Sequence, residues 1–534
     1  MERFVKLKKN IVIEPLVNGW YAWSHLISPA TLAMNIQFRY LPLLESFVAN
    51  PNAHLVACQT PSLRGGPFVD LAVDKVNEIQ NIINETKVNC KNLIDFAESI
   101  KQLYRQILKS ADGYSIEPLY KDLPQPLQGY VELNYSIAGY PEIYLNESLL
   151  YKSQFSSKSL QSSLIYAVRE DERPFILSTP RLSRHDAIDL RQSFESEIYD
   201  FLAQLRLKAQ PIKKVLDRLN LPKEKLDLLS TFLEDASENE ESLPRQSSDM
   251  TRWRYFGHAC VLIESPLGKN ILVDPIISYC ESGGLKRFTL VDLPESIDCV
   301  VLTHNHADHV LIETLLAIRH RVKCIAVPRS GDSLVDPSLR RMLMEIGFKN
   351  VIELESFESL DFDDIKLTAL PFLGEHGDLD IRTKAAWLVS IEKQNYLFAA
   401  DSNNLDPQVY RLIKDTFGAI QNLFIGMECL GAPFSWSYGP YLPFAIDRKK
   451  DQSRRLNGSD FQRGMSVVEI LGAERVYIYA MGAEPWIQFI TSIDPAEDTV
   501  PRINAKQLVD ACLNKGIQCE LLYCQKEVSI PLAA

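Results

Sequence analysis

The sequence predicts two β-sheets packed face to face with helices outside, an αββα sandwich, over residues 251–534, preceded by a mixed α+β domain over 1–236. Three observations carry that reading. Short apolar segments recur beyond residue 250, strand patterns outnumber helical ones there, and the stretch 237–250 is nearly bare of apolar residues. A chain of 534 residues has room for two or three domains.

In the N-terminal part, residues 69–108 place apolar side chains three and four apart, as a helix does. Residues 187–233 read the same way, from AIDLRQSFESEIYDFLAQLRL to KLDLLSTFL. Between them YVELNYSIAGYPEIYL alternates and is rich in Tyr, Ile and Val, which predicts strands around a Gly-Tyr-Pro turn. No catalytic motif stands here, and the isolated His25, His54 and His185 read as structural. Paired helices with a small sheet suit a docking or dimer-forming domain. SENEESLPRQSSDM, 237–250, is polar and charged and reads as a linker.

Beyond the linker the strand segments are ACVLIES, NILVDPII, DCVVLTH, CIAVP, IKLTALPF, AAWLVSI, YLFAAD, NLFIGM, VYIYAM and CELLYC. Helical patterns such as LIETLLAIRHRV and SLRRMLMEIGF sit between some of them.

Bulk properties narrow the partners. A formal net charge of −12 argues against nucleic acid, whose binding needs Lys and Arg to neutralise phosphates. No apolar run approaches the ~20 residues of a membrane span. The opening MERFVKLKKNIVIEP has no continuous apolar stretch and no small-residue cleavage site, so it reads as mature sequence. Ten scattered Cys without a C-x-x-C pair read as reduced thiols, which predicts a cytoplasmic protein.

The strongest chemical signal is V-L-T-H-N-H-A-D-H-V, residues 301–310. Three of the nine His fall within it, just past the apolar strand DCVVLT. Alternate spacing points His304 and His306 the same way as the strand runs out, and Asp308 and His309 follow on the turn into a helix. One loop can thus supply two ligands to each of two metal ions. A polar loop capping a helix through Asp308 would account for one of these four residues. Two later strand ends carry further donors: P-F-L-G-E-H-G-D at 371–378 and Y-L-F-A-A-D at 396–401.

This pattern resembles the metallo-β-lactamase superfamily, whose H-x-H-x-D-H signature residues 304–309 reproduce. FGHACVLIESPLGKNILVDP, 256–275, resembles that superfamily's first hairpin. The resemblance makes His304, His306, Asp308 and His309 metal ligands and Asp401 the bridging carboxylate. The third ligand of the first metal falls to Glu375 or His376. Superfamily hydrolases usually close the site with a final His after the last core strand. The matching stretch here, ERVYIYAMGAEPW at 474–486, has none, and no His follows His376. With Glu375 as ligand, three His and three carboxylates suit iron and oxygen chemistry. With His376 instead, the set looks like a two-zinc hydrolase lacking one ligand.

A large N-terminal domain, G-E-H-G-D at the third-ligand position and the missing final His together resemble the non-haem di-iron β-hydroxylases typified in chloramphenicol biosynthesis, over nearly the whole length. That resemblance implies two Fe ions held by His304, His306, Asp308, His309, Glu375 and Asp401. It implies O₂ and external electrons as co-reactants, and an amino acid held as a thioester on a nonribosomal peptide synthetase carrier domain as substrate, hydroxylated at its β-carbon. No G-x-G-x-x-G follows a strand, so the electron donor is a separate protein, still unidentified. A homodimer is compatible with the extra domain. The rival readings are a dinuclear zinc hydrolase of the lactonase or phosphodiesterase kind, with a bridging hydroxide as nucleophile, and an interaction protein whose site has decayed.

Other residues have two readings each. His258 in G-H-A-C is a donor just outside the metal ligands or a satisfied core His, and His376 falls in that outer position if Glu375 ligates. Asp274 orients a ligand His or forms a turn before Pro275. MECLGAPFSWSYGPYLPF, 427–444, is a substrate loop over the metals or an apolar loop on the core. The basic cluster at 447–451 with Arg454 and Arg455 is a solvated face or a rim for a carrier domain. Cys429 and the other thiols are not expected among the ligands.

Overall fold

The computed structural model describes residues 3–110, 112–169, 171–237, 250–280, 284–493 and 496–531. Its C-terminal part is the expected sandwich of two seven-stranded sheets. The first sheet runs, edge to edge, through Val351–Leu354, Ile325–Pro328, Cys299–Val301, Asn270–Val273, Cys260–Glu264, Met250–Gly257 and Lys526–Pro531. The second runs through Ser359–Phe362, Ile365–Leu370, Ala386–Ile391, Gln394–Phe398, Asn422–Gly426, Arg475–Tyr479 and Gln518–Leu521. All ten predicted apolar segments are strands. Val351–Leu354, Ser359–Phe362 and Lys526–Pro531 went unread because they are edge strands whose half-solvated Glu, Asp and Lys positions dilute the apolar pattern, and the inner strand Met250–Gly257 because Arg252 and Arg254 interrupt its apolar run.

The central strands read as continuous apolar runs because both faces are covered. Between the sheets lie Trp253, Val301, Leu367, Trp387, Phe398, Phe424 and Tyr477. Trp387 Nε1–H donates to the Leu302 carbonyl of the opposite sheet at 2.9 Å, so this large indole is buried without an orphaned donor. Helices Pro407–Phe417, Phe461–Leu471 and Val500–Asn514 cover the outer face of the second sheet. The middle one starts where the Asp460 side chain accepts from the Arg463 N–H, and ends at the left-handed Gly472.

The outer face of the first sheet is covered largely by the N-terminal part. Leu262, Leu272 and Val300 share one core with Val17, Trp20, Leu26, Phe47 and Phe96. That part holds a four-stranded sheet, in the order Trp20–Tyr21, Ile11–Val17, Gln161–Ala167, Ala187–Leu190. The predicted hairpin is present as Val131–Tyr135 and Pro141–Leu145. Two expectations are corrected. Residues 187–190 are an edge strand, not the start of a helix, since Ala187 and Leu190 pair with Tyr166 and Ser163; helix begins at Glu197. The helix over 69–108 starts at Val76 and breaks at Cys90, giving Val76–Asn89 and Lys91–Ser110. Of the predicted linker, residues 238–249 lie outside the described residues, and Met250 opens a strand.

Buried polar groups stitch the two parts together. Glu313 accepts from the Tyr21 hydroxyl at 2.8 Å and from the Arg173 guanidinium at 2.9 Å. Glu147 accepts from the Ser28 hydroxyl at 2.8 Å and the Ser338 N–H at 3.0 Å. Burial pushes the Glu147 carboxyl up to about 7, more than those two hydrogen bonds pull it back. Below about 4.5, its ordinary value, the folded and unfolded chains both hold the proton, and the stabilising contribution is complete. As pH rises toward 7 only the unfolded chain releases it, so stability falls, by roughly 3 kcal/mol at about 1.4 kcal/mol per pKa unit. Glu147→Gln is expected to flatten that slope, read as melting temperature against pH between 4.5 and 7.5.

Candidate metal centre

Every predicted site residue lies just past the carboxyl end of a strand, where the parallel strands of both sheets point the same way. Cross-ties hold these ends in register. Ala385 N–H donates to the Thr303 carbonyl at 2.8 Å, and Ala480 N–H to the His258 carbonyl at 2.8 Å.

The strand ends gather three clusters whose donor atoms lie within 4.8 Å of one another: His304, His306 and Glu375; His304, His309 and Asp401; and His258, Asp308 and His309. None contains a cysteine. His309 Nε2 is 3.1 Å from Asp401 Oδ2, and His306 Nδ1 is 2.8 Å from Glu375 Oε1.

Hydrogen bonds behind the imidazoles select their tautomers. Asp274 accepts from the Thr303 N–H at 2.8 Å, the Thr303 hydroxyl at 2.6 Å and His309 Nδ1–H at 2.8 Å. With its proton directed at Asp274, Thr303 Oγ1 accepts from His304 Nδ1–H at 3.0 Å. Both imidazoles therefore turn an Nε2 lone pair toward the cluster. Of the two readings of Asp274, the orienting one matches the geometry.

Glu375 reaches the cluster from a strained turn. Gly374, Glu375, Gly377 and Asp378 all have positive φ. A Cβ on Gly377 would stand 2.4 Å from Phe434 Cβ. Gly377→Ala is expected to cost ~3 kcal/mol through strain and displaced packing, and to loosen metal binding because Glu375 shares the turn. Melting temperature and metal stoichiometry check this. His376, the other candidate third ligand, belongs to none of the three clusters. It stacks on His306 at 4.8 Å, and its Nδ1 lies 2.8 Å from Glu375 Oε2. His258 Nδ1 accepts from the Gly482 N–H at 3.1 Å, leaving Nε2 3.5 Å from Asp308 Oδ2.

Charges interlock. Burial pushes His306 down, but the Glu375 carboxylate overrides it and holds the imidazole above its usual range. Burial would raise Glu375; His306 and His376 hold it at about 2. His304 is kept well below the imidazole range by burial and by the neighbouring His309 and His306.

Do these residues fit a metal pair? His304 Nε2 and Asp401 Oδ1 are buried polar atoms with no hydrogen-bond partner. Each would cost about 1–3 kcal/mol left unpaired, and both belong to the clusters above. Imidazole nitrogen mixed with carboxylate oxygen is a donor set for iron. The residues fit.

The segment 427–444 covers the centre. Its helix Phe434–Tyr438 places the Tyr438 hydroxyl 3.1 Å from His306 Nε2. The N-terminal part braces that helix. Arg39 donates to the Ser437 carbonyl at 2.8 Å from a π-helical turn, Ile36–Tyr40. Asn35 Nδ2 donates to the Tyr441 hydroxyl at 2.8 Å, and His25 Nδ1 lies 2.9 Å from the same oxygen. Sequence reasoning named the segment but not Tyr438. It read His25 as structural, and spacing gives no signal for a contact spanning more than 400 positions.

The fold and this cluster define a metallo-β-lactamase-type protein with a dinuclear metal centre. Residues 269–426 match the β-lactamase superfamily domain, and residues 6–237 match the diiron non-heme β-hydroxylase N-terminal domain. The chain is 36% identical, over 98% of its own length and 99% of the relative's, to 4-amino-L-phenylalanyl-[CmlP-peptidyl-carrier-protein] 3-hydroxylase of Streptomyces venezuelae. The crystal structure of CmlA, a diiron β-hydroxylase from Streptomyces venezuelae, matches with a TM-score of 0.92 at 35% identity, covering 99% of this chain and 100% of that one. A CmlA variant gives 0.89 at 35% identity over 98% of this chain and 100% of its own. The chain belongs to the diiron non-heme β-hydroxylase family, and its cofactor is a pair of iron ions. A metal-dependent hydrolase of Thermodesulfovibrio yellowstonii is 32% identical over 17% of this chain and 34% of its own, so the zinc-hydrolase alternative has only a short stretch behind it.

Proposed function

We propose that the chain is an O₂-dependent monooxygenase that hydroxylates the β-carbon of an amino acid held as a thioester on a nonribosomal peptide synthetase carrier domain. The observation that carries this reading is Glu375, a carboxylate where His304 and His306 meet, in a chain whose strand Arg475–Tyr479 runs out into Ala480–Gly482 and no histidine. In this reading His304, His306, Asp308, His309, Glu375 and Asp401 would hold the iron pair, Glu375 beside His304 and His306, and Asp401 beside His304 and His309. When bound there, two irons would supply the oxygen-activating redox chemistry.

The chain's own residues position and shield. Asp274 and Thr303 keep the Nε2 lone pairs of His304 and His309 free. His306 Nε2–H donates to Tyr438, which leaves Nδ1 facing Glu375. His304 and His309 have no solvent exposure, which keeps water from the reacting groups. Overall, substrate C–H, O₂, two electrons and two protons give the alcohol and water. The electrons come from an external donor. A substrate held on a synthetase carrier domain supports a cytoplasmic site of action; among the described residues no helix is long and apolar enough to cross a membrane.

In the test, iron-loaded, chemically reduced protein is mixed with O₂ and a carrier bearing an aminoacyl thioester. The expected product has gained one oxygen atom by mass spectrometry. Thioester or ester hydrolysis without that gain would sink the reading.

A further inference from the structure

We propose that the cleft between helix Lys91–Ser110 and segment 435–451 binds the phosphodiester of the carrier's phosphopantetheine arm, with Lys101 and Arg448 as its two cations. The proposal rests on the carrier-bound reading above and names the group by which the site recognises its partner.

The cleft encloses about 430 Å³ and is lined by Lys101, Ser435, Gly439, Phe444, Arg448 and Asp451 among others. It is built from both parts of the chain: Lys101 comes from the N-terminal domain and the remaining residues from the catalytic one. The Lys101 ammonium lies 3.5 Å from the centroid of the Phe38 ring, half-buried. Burial and the neighbouring Arg105 charge hold its pKa below the usual lysine range. Neither Lys101 nor Arg448 makes an ion pair among the described residues. The acid on the lining, Asp451, is already committed: its carboxylate accepts from the Ser435 N–H at 3.1 Å and the Ser435 hydroxyl at 2.7 Å. In a chain of net charge −12, two cations that make no direct ion pair line one cleft beside a single carboxylate, Asp451, which leaves a local attractor for an anion. Arg matches a phosphate's oxygens bidentately and Lys binds it as a point charge. Phe444, 53% exposed, adds apolar surface beside them for the chain that the phosphate carries.

The location suits an arm that must end at the metals. Ser435 and Gly439 are four residues apart and line the cleft. Phe434 and Tyr438 are also four apart and face the metal centre: Phe434 packs on Gly377, and Tyr438 touches His306. Cleft and metal centre thus lie on two sides of one helix, whose packed width is roughly 10 Å. A phosphate anchored on the outer side leaves the rest of the arm to pass that helix and deliver the thioester.

The test measures binding of 4′-phosphopantetheine and of pantetheine to the full-length iron-loaded protein, and to Lys101→Met and Arg448→Met. Wild type is expected to bind the phosphorylated probe about tenfold more tightly, and each variant to lose most of that preference with iron content unchanged. Arg448 is solvent-exposed, so its variant keeps the test decisive should Lys101→Met misfold. Equal affinity for the two probes, or a preference unmoved by both substitutions, overturns the proposal. Should Lys101- and Arg448-dependent phosphate binding persist while no carrier-bound amino acid is hydroxylated, the anion site stands and the functional reading above falls.

Discussion

Glu375→Gln is expected to lower bound iron from about two per chain to about one, and to cut β-hydroxylation at least ~100-fold. Glutamine keeps the length and the turn but removes the anion. His306 Nδ1, 2.8 Å from Glu375 Oε1, would then face a neutral amide, and His306 would lose the charge that overrides burial. Removing one partner of a buried charge pair costs about 3–5 kcal/mol, enough on its own for a hundredfold change. His376→Gln is the companion. His376 stacks on His306 but shares no cluster with the other donors, so iron should stay near two per chain while turnover falls about 10–100-fold. Iron analysis of the two variants side by side separates Glu375 from His376 as ligand. Loss of iron in His376→Gln but not in Glu375→Gln would reverse the assignment.

The second large effect is expected from Asp274→Asn. The carboxylate accepts three hydrogen bonds, from the Thr303 N–H, the Thr303 hydroxyl and His309 Nδ1–H. Asparagine has one carbonyl oxygen and an NH₂ that donates, so one of these donors would meet another donor. His309 then relieves the clash by moving its proton to Nε2, the atom 3.1 Å from Asp401 Oδ2 that must offer a lone pair. Affinity for the second iron should fall about 10–100-fold. The fold should lose roughly 3 kcal/mol, because a buried group that orders two neighbours is left mismatched. Asp274 has φ of 38°, a region asparagine adopts as readily as aspartate, so backbone strain does not confuse the result. Chelator competition reads the first effect and thermal unfolding the second; unchanged metal affinity would remove Asp274 from the account.

The sandwich was legible because its central strands are covered on both faces, and their apolar runs stand out whatever packs against them. The core of the site was legible for a local reason: His304, His306, Asp308 and His309 fall within six positions on one loop, and Asp401 and Glu375 each end a recognisable strand. Which of Glu375 and His376 stands among the other donors was not readable from spacing, since the two are adjacent in one turn; Glu375 groups with His304 and His306, while His376 stacks on His306. Nor were the contacts of Arg39 with Ser437 and of Asn35 and His25 with Tyr441, on either side of Tyr438, visible, because those partners lie some 400 residues away in sequence. The strand at 187–190 was missed for a related reason: its alternation covers four residues, too few to outweigh the helical spacing that follows.

This oxygen-rich centre is expected to activate dioxygen, not water. Isotope tracing tests it most directly. Reduced, iron-loaded protein is given an aminoacyl carrier under ¹⁸O₂ in unlabelled water, and the released β-hydroxy amino acid is weighed. The account predicts that the hydroxyl oxygen is ¹⁸O, and that protein refilled with zinc yields no product. A hydroxyl carrying unlabelled oxygen, or equal turnover by the zinc form, would contradict it.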